Sequence, residues 1–323
     1  MYPPWTSPTR AAQILADGGV VAIPTETVYG LAGNAFDPKA LAKIFAAKER
    51  PFFDPLIVHI SKIETIELIA KDIPKAAWKL AEAYWPGPMT LVLPKQDCIP
   101  DLATSALSTV AIRFPNHKIA QEIISLAGVP LAAPSANLFQ HVSPTTAEHV
   151  AEQLGNRIDG IVDGGPCSVG VESTIIAFIE GNPVVLRPGA ITPEMIIKIA
   201  GSLTIKQSVS SPGKAMPAPG MMDKHYQPRV PLFYGVIPTE ATLPPHTVRI
   251  AFGNTKSRID ATLNLSPTGN LTEATANLYA FMRSLDKETY DLILVDPIPD
   301  EGIGIACNDR LRRASLKYFP SQN

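Results

Sequence analysis

The sequence predicts an α/β protein in two unequal parts, and three features predict it. Short runs of aliphatic and β-branched residues alternate with longer stretches of helical periodicity through the first ~200 positions. A segment rich in Pro, Gly, Ser and Met, without periodicity, then interrupts the pattern. A smaller strand–helix alternation follows it. The expected architecture is an open twisted mixed sheet with helices over residues 1–205, a Pro/Gly-rich linker or lid over 206–230, and a smaller Rossmann-like α/β domain over 231–323.

The first helix is "SPTRAAQILADGG", with Ser7 as N-cap, Pro8 in the first turn and Gly18 at the stop. "VVAIP" is a short buried strand. "DPKALAKIFAAKE" is a second helix, capped by Asp37, with Leu41, Ile44 and Phe45 on one apolar face. "PLIVHI" is a strand, and "SKIE" (Ser61 to Glu64) reads as a capping box opening the next helix. "TLVLP" and "TVAIRF" are strands, "NHKIAQEIISLAG" a helix, "VPLAAP" a strand and "TTAEHVAEQLG" a helix. "STIIAFIEGNPVVLRPG" reads as a hairpin turning at "GN", and "TPEMIIKIA" closes the unit near Gly201. After the linker come a strand at "HTVRIAF", a helix at "TEATANLYAFMRSLDKE", a strand at "YDLILVD" and a helix at "NDRLRRASLKYF".

Composition narrows the function. The 323 residues are 46% hydrophobic and 18% charged, with a net charge of −2 and a pI near 6.3. No global basic field exists to hold nucleic acid tightly, so any RNA contact must be local. Cys98, Cys167 and Cys307 lie far apart without metal-ligand spacing, which predicts idle thiols in a reducing compartment. No apolar run reaches the roughly 18 residues of a membrane span, and "MYPPWTSPTR" lacks the plan of a signal peptide. The expectation is a cytoplasmic protein with no membrane contact. Proline is the outlier: 32 residues, about twice the usual ~5%, sit mostly in loop contexts. Pro lowers the entropy of a free loop, and loops held this stiffly are expected to bind something.

Common nucleotide motifs fail. "GPCSVGVE" (Gly165 to Glu172) has the glycine spacing of a P-loop but Val171-Glu172 where Lys-Ser/Thr is required. "GIG" at Gly302 to Gly304 lacks a third glycine. No HExxH or nucleophile elbow exists, and a lone Ser135 is no nucleophile without a positioned base. What remains is a set of loops at the ends of expected strands: "PTETVYGLAGNAF", "KERPFFDPLIVH", "WPGPMT", "TVAIRFP", "APSAN", "SPT", "ESTI", "RPG" and "HYQP". They supply the cations Lys48, Arg50, Arg113 and Arg187. They also supply hydroxyls at Thr25, Thr27, Thr90, Ser135, Ser143, Ser173 and Thr174, with Asn137 and His59. Strand ends of an open α/β sheet are where ligands bind, and this donor set suits a phosphate and a carboxylate better than an apolar ligand.

In this order, and over nearly the whole chain, the loops resemble the YrdC-domain family of threonylcarbamoyl-AMP synthases in its long, two-domain form. "PTETVYGLAGNA", "WPGPMTLVL", "VAIRFPNH", "APSAN", "SPT", "ESTII" and "LRPGAIT" carry the likeness in the first part; "PGMMDKHYQP" and "GIGIACNDRLRRAS" carry it in the extension. The resemblance implies a YrdC-type fold and condensation of L-threonine, bicarbonate and ATP, with Mg²⁺ on the nucleotide, to threonylcarbamoyl-AMP and pyrophosphate. The product would pass to a downstream threonylcarbamoyl transferase machinery that modifies tRNA. Carried over residue by residue, it implies L-threonine contacts at Thr27, His59, Arg113, Ala133 and Ser173. It implies ATP contacts at Arg50, Asp54, Thr109, Ser135, Ser143, Arg187 and Tyr226. Lys48 and Arg50 are expected to supply catalytic charge to the phosphates, and no protein metal site is expected. The family usually carries Asn where Asp54 stands, and pairing of Asp54 with Arg50 is the expected accommodation. Two rivals stay open at this point. A carbamoyl-transfer enzyme of hydrogenase maturation needs zinc motifs that three scattered Cys do not supply. An RNA-binding module would use "KHYQPR" (Lys224 to Arg229) and "RLRR" (Arg310 to Arg313) for a weak tRNA contact, although a helical charge run is usually a solvated face.

Overall fold

The computed structural model describes residues 4–205, 225–237 and 241–317. The expected linker therefore lies outside the described residues as far as residue 224. The strands are, in chain order, β1 Val21–Ile23, β2 Gly30–Asn34, β3 Ile57–His59, β4 Met89–Pro94, β5 Thr109–Arg113, β6 Leu131–Ala132, β7 Gly160–Ile161, β8 Thr174–Ile179, β9 Asn182–Arg187, β10 Thr204–Ile205, β11 Leu232–Tyr234, β12 Thr247–Ala251, β13 Leu263–Asn264 and β14 Leu292–Val295. The helices are α1 Pro8–Ala16, α2 Pro38–Lys48, α3 Ile66–Ile69, α4 Lys75–Tyr84, α5 Asp101–Thr104, α6 Lys118–Ala127, α7 Ala147–Leu154, α8 Pro193–Ala200, α9 Leu271–Ser284 and α10 Gly304–Ala314.

A ten-stranded mixed sheet runs β10-β9-β8-β4-β5-β3-β6-β2-β1-β7, and a four-stranded sheet, parallel throughout, runs β11-β14-β12-β13. The mixed sheet with helices is the fold class expected from the alternation. Local signals fall where the chain places them. Ser7 Oγ accepts from the Arg10 N–H and Gly18 sits at φ +78°, which a glycine adopts without steric cost. Asp37 caps α2 by accepting from the Lys39 N–H, and Leu41, Ile44 and Phe45 are buried beneath it.

Three expectations are corrected. "SKIE" opens a 3₁₀ turn, Ile63–Thr65, with no side-chain cap. Only one α turn follows before Ala70 bridges to Lys95, so few free N–H groups reward a capping box. The β8–β9 hairpin turns at Glu180-Gly181, one residue before "GN". Ile179 pairs with Asn182, and both turn residues have positive φ, as a two-residue type I′ loop requires. Within "PTETVYGLAGNAF" the second half is not loop but strand β2, antiparallel to β1. Its glycines lower β propensity yet admit close packing: a Cβ on Gly33 would lie 3.0 Å from Ile44 Cδ1.

The two sheets do not bury their cores separately. One apolar cluster joins Val28, Val142 and Val171 of the large part to Tyr226, Leu278, Tyr279 and Leu311 of the small one. At Gly170, φ +82°, a Cβ would meet the Thr275 carbonyl oxygen at 2.5 Å, so the "ESTI" approach packs backbone against α9. Among the described residues no helix is long and apolar enough to cross a membrane.

Candidate active site

The ends of the central strands build one site. His59 and Arg113 are direct partners across the parallel β3–β5 pair, and Thr90 of β4 faces Arg113 from the other side. Ser173 precedes β8, its hydroxyl 2.7 Å from that of Thr90. Arg187 ends β9, and its Nε and Nη2 donate to the Ser173 carbonyl at 3.2 and 3.1 Å. Around these groups lies a cavity lined by Thr25, Thr27, Arg50, His59, Arg113, Ala133, Ser135, Glu172, Ser173, Arg187, His225 and Tyr226, among others.

The "TET" turn aims Arg113. Thr25 Oγ1 donates to the Val28 carbonyl, and Arg113 Nη1 donates to Thr27 Oγ1 at 2.8 Å while Nη2 lies 2.7 Å from Glu26 Oε2. Among the described residues Arg113 Nε is buried without a partner, a donor left for a ligand. His59 Nδ1 donates to the Ile57 carbonyl. Burial, then the neighbouring Arg113, pull its pKa to about 3, so the ring is neutral near pH 7.

The Pro-stiffened loop after α2 delivers Arg50. Its Nη2 lies 2.9 Å from Asp54 Oδ2 and also donates to the Pro55 carbonyl, and its Nε donates to the Asp54 carbonyl. The expected Arg50–Asp54 pairing is present. Asp54 itself is wholly buried and lines no part of the cavity. Lys48 departs further from expectation. Its Nζ donates to the carbonyls of Ser135 and Asn137, both at 2.5 Å. Burial, then Arg50, lower its pKa well below the usual lysine value. The Lys48 Nζ thus pins the "APSAN" loop from behind instead of facing the cavity, because a buried donor takes the nearest carbonyl acceptors.

Thr27, Arg50, His59, Arg113, Ala133, Ser135, Ser173, Arg187 and Tyr226 of the expected set line the cavity; Lys48, Asp54, Thr109 and Ser143 do not. Thr109 begins β5, opposite Pro94, at the far end of the strand from Arg113. Ser143 is buried and donates to Glu172 Oε1 at 2.6 Å.

Glu172 and His225 line the cavity and were not singled out, although both stood inside quoted motifs. Glu172 Oε2 accepts from Tyr279 and from Arg310 Nε, each at 2.9 Å. Burial alone would raise the Glu172 pKa; Arg310 and Arg187, with the Ser143 hydroxyl, overcome it and hold it at about 2. The "RLRR" run is accordingly no RNA-facing patch. Arg310 is fully buried and Arg313 nearly so, leaving Arg312 outward. Lys224 lies outside the described residues. Tyr226, at φ +63°, is sandwiched by Tyr279 at 5.7 Å, Arg310 at 5.4 Å and the His225 ring at 4.0 Å. Among the described residues its hydroxyl has no partner, and burial, then Glu172, push its pKa to about 12, so it remains a donor. Among the described residues no three His, Cys, Asp or Glu side chains gather as metal ligands.

Fold and site together define an α/β protein with a buried, arginine-lined pocket at the ends of its sheet. A family model described as telomere recombination (Sua5/YciO/YrdC) matches residues 13–189, and one described as threonylcarbamoyl-AMP synthase, C-terminal domain, matches 191–315. The threonylcarbamoyl-AMP synthase of Pyrococcus abyssi is 41% identical, covering 94% of this chain and 93% of its own. That of Bacillus subtilis is 40% identical, over 95% and 92%. The crystal structure of P. abyssi Sua5 complexed with L-threonine superposes with a TM-score of 0.88 at 39% identity, covering 95% of this chain and 94% of that one. The chain belongs to the threonylcarbamoyl-AMP synthase family in its long, two-domain form, enzymes that use ATP and transfer its adenylyl group.

Proposed function

We propose that this enzyme joins L-threonine, bicarbonate-derived CO₂ and ATP into threonylcarbamoyl-AMP, for threonylcarbamoyladenosine formation in tRNA in the cytoplasm. The observation that carries the reading is the convergence of Arg50, Arg113 and Arg187 with neutral His59 in one cavity whose polar walls are almost wholly buried. Threonine's amine adds to CO₂, losing a proton, to give a carbamate. One carbamate oxygen attacks the α-phosphorus of ATP, the bond from that phosphorus to the bridging oxygen breaks, and pyrophosphate leaves. A carbamate decomposes readily in water, so a site that orients both reactants and excludes solvent supplies much of the catalysis.

Arg113 takes the threonine carboxylate through its reserved Nε. Thr27, by holding Nη1, fixes the guanidinium plane. His59, Ala133 and Ser173 wall the amino acid. Arg50, Arg187, Ser135 and the Tyr226 hydroxyl serve the nucleotide. Lys48, Asp54 and Ser143 act one contact removed: Lys48 shapes the Ser135 loop, Asp54 sets Arg50, and Ser143 sets Glu172. Thr109 would meet the nucleotide only if it extends along the β5 face. Mg²⁺ arrives on the triphosphate as part of the substrate. The released adenylate feeds a downstream transferase, and tRNA contact is confined to that step. Pyrophosphate release is expected only when threonine and bicarbonate are both supplied; equal release with threonine omitted would overturn the assignment.

A further inference from the structure

We propose that the small sheet carries a second ligand site, for a nucleoside monophosphate, in the cleft at the carboxyl ends of β11, β14 and β12.

The small sheet is parallel throughout, so its strands end on one side. Among the described residues its two helices pack on one face: Leu278 and Met282 of α9 and Leu311 of α10 cluster with Val248, Ile250 and Ile293. The same cluster runs on to Val28 and Val142 of the large part, so the catalytic cavity lies on the helix side. Alternation turns Phe233, Leu294 and Arg249, cross-strand neighbours, to the other face. The cleft opens there. Residues 235–237 after β11 form one wall, residues 255–258 after β12 the other, and Leu294, Asp296 and Pro297 lie between them. Ligands of open α/β sheets bind outside the carboxyl ends of the strands.

A buried guanidinium builds the β12 wall. Arg249 Nε and Nη2 donate to Asp296 Oδ1 and Oδ2 at 2.9 and 2.6 Å. Its Nη1 donates to the Ile259 carbonyl at 3.1 Å and Nη2 to the Thr255 carbonyl at 3.0 Å. Asp296 is thereby matched by a cation from beneath, and the loop from Thr255 to Ile259 is clamped at both ends. Lys256, Ser257 and Arg258 stand exposed on that clamped loop, a donor set suited to a phosphate. The β11 wall is apolar: Val236 is 78% exposed and Ile237 follows it, with buried Leu294 as floor. That wall suits the flat face of a base. The walls stand two strand spacings apart, about 10 Å, which is the span from a base to its 5′-phosphate.

The test is hydrogen–deuterium exchange on the full chain with AMP as the probe. AMP should slow exchange in both the 235–237 and 255–258 segments. Lys256→Glu, a change at an exposed position, should raise the AMP concentration needed there about tenfold or more, and Lys256→Arg should hold it within about threefold of wild type. Inorganic phosphate at the same concentration should protect the 255–258 segment only. The proposal is overturned if protection by AMP is confined to segments lining the catalytic cavity, if it is unchanged in Lys256→Glu, or if inorganic phosphate protects both walls as AMP does, which would make the cleft a simple anion site.

Discussion

Of the buried ion pairs that flank the cavity, Arg50–Asp54 and Arg310–Glu172 are built on opposite principles. Arg50 and Asp54 sit four residues apart on one loop that also carries Pro51 and Pro55, so the local chain brings them together. Arg310 and Glu172 are separated by 138 positions and meet only because the small part docks on the large one. The first pair aims a cation; the second neutralises an anion and ties the domains. A local pair is a property of a loop, whereas a long-range pair is a property of the assembly, and breaking it leaves Glu172 to two neutral hydroxyls and the field of Arg187.

The largest effect should follow from breaking the long-range pair. Arg310→Ala leaves Glu172 buried without its hydrogen-bonded cation, with only the more weakly coupled Arg187 remaining, and should cost about 3–5 kcal/mol of stability, measured by chemical denaturation. A loss no greater than that of an exposed Arg312→Ala control would erase the distinction between the pairs. Acid offers a second probe. The Glu172 pKa is depressed in the folded state from the usual 4.5 to about 2. Its contribution, about 3 kcal/mol, is therefore full above pH 4.5 and lost as the pH falls toward 2. The difference in stability between wild type and Glu172→Gln should shrink across that window; a constant gap contradicts the pairing.

How much of this was legible follows the same division. Caps at Ser7 and Asp37, the apolar face of α2 and the stiff loop carrying Arg50 act over a few residues, and a linear reading finds them. His59 and Arg113 were legible through the motifs that contain them. Strand β2 was not, because Gly30 and Gly33 carry no β signal and are there to admit Ala133 and Ile44. The burial of Lys48 was not legible, because only the folded Ser135 loop supplies the carbonyls that take its Nζ. Arg310 was the least legible of all. A charged run on a helix resembles a wetted face, and its partner lies in a motif whose hydroxyls, not its glutamate, drew the reading.

Smaller effects sharpen the local side. Arg113→Ala removes the expected partner of the threonine carboxylate and should weaken threonine by about 2–3 kcal/mol with far less effect on ATP. Calorimetry decides, and an unchanged threonine affinity would make Arg113 structural. Asp54→Asn keeps the size and removes the charge that occupies Arg50. ATP should tighten by about 1 kcal/mol, with Mg²⁺ or with a chelator; a loss confined to the Mg²⁺ condition would mean that Asp54 serves the metal. The smallest effect concerns His59. Because it is neutral down to about pH 3, threonine affinity should show no inflection near pH 6.5 in a calorimetric series, and a clear one would place a charged imidazole in the site.

The central claim, that both parts of the chain enclose one cavity in which threonine, CO₂ and ATP are joined, is tested most directly by mass detection of the adenylate after supplying ¹³C-bicarbonate with threonine, ATP and Mg²⁺. The account predicts threonylcarbamoyl-AMP carrying one labelled carbon, formed only when every substrate is present. Conversion of ATP with no labelled adenylate, or an adenylate formed without bicarbonate, would contradict it.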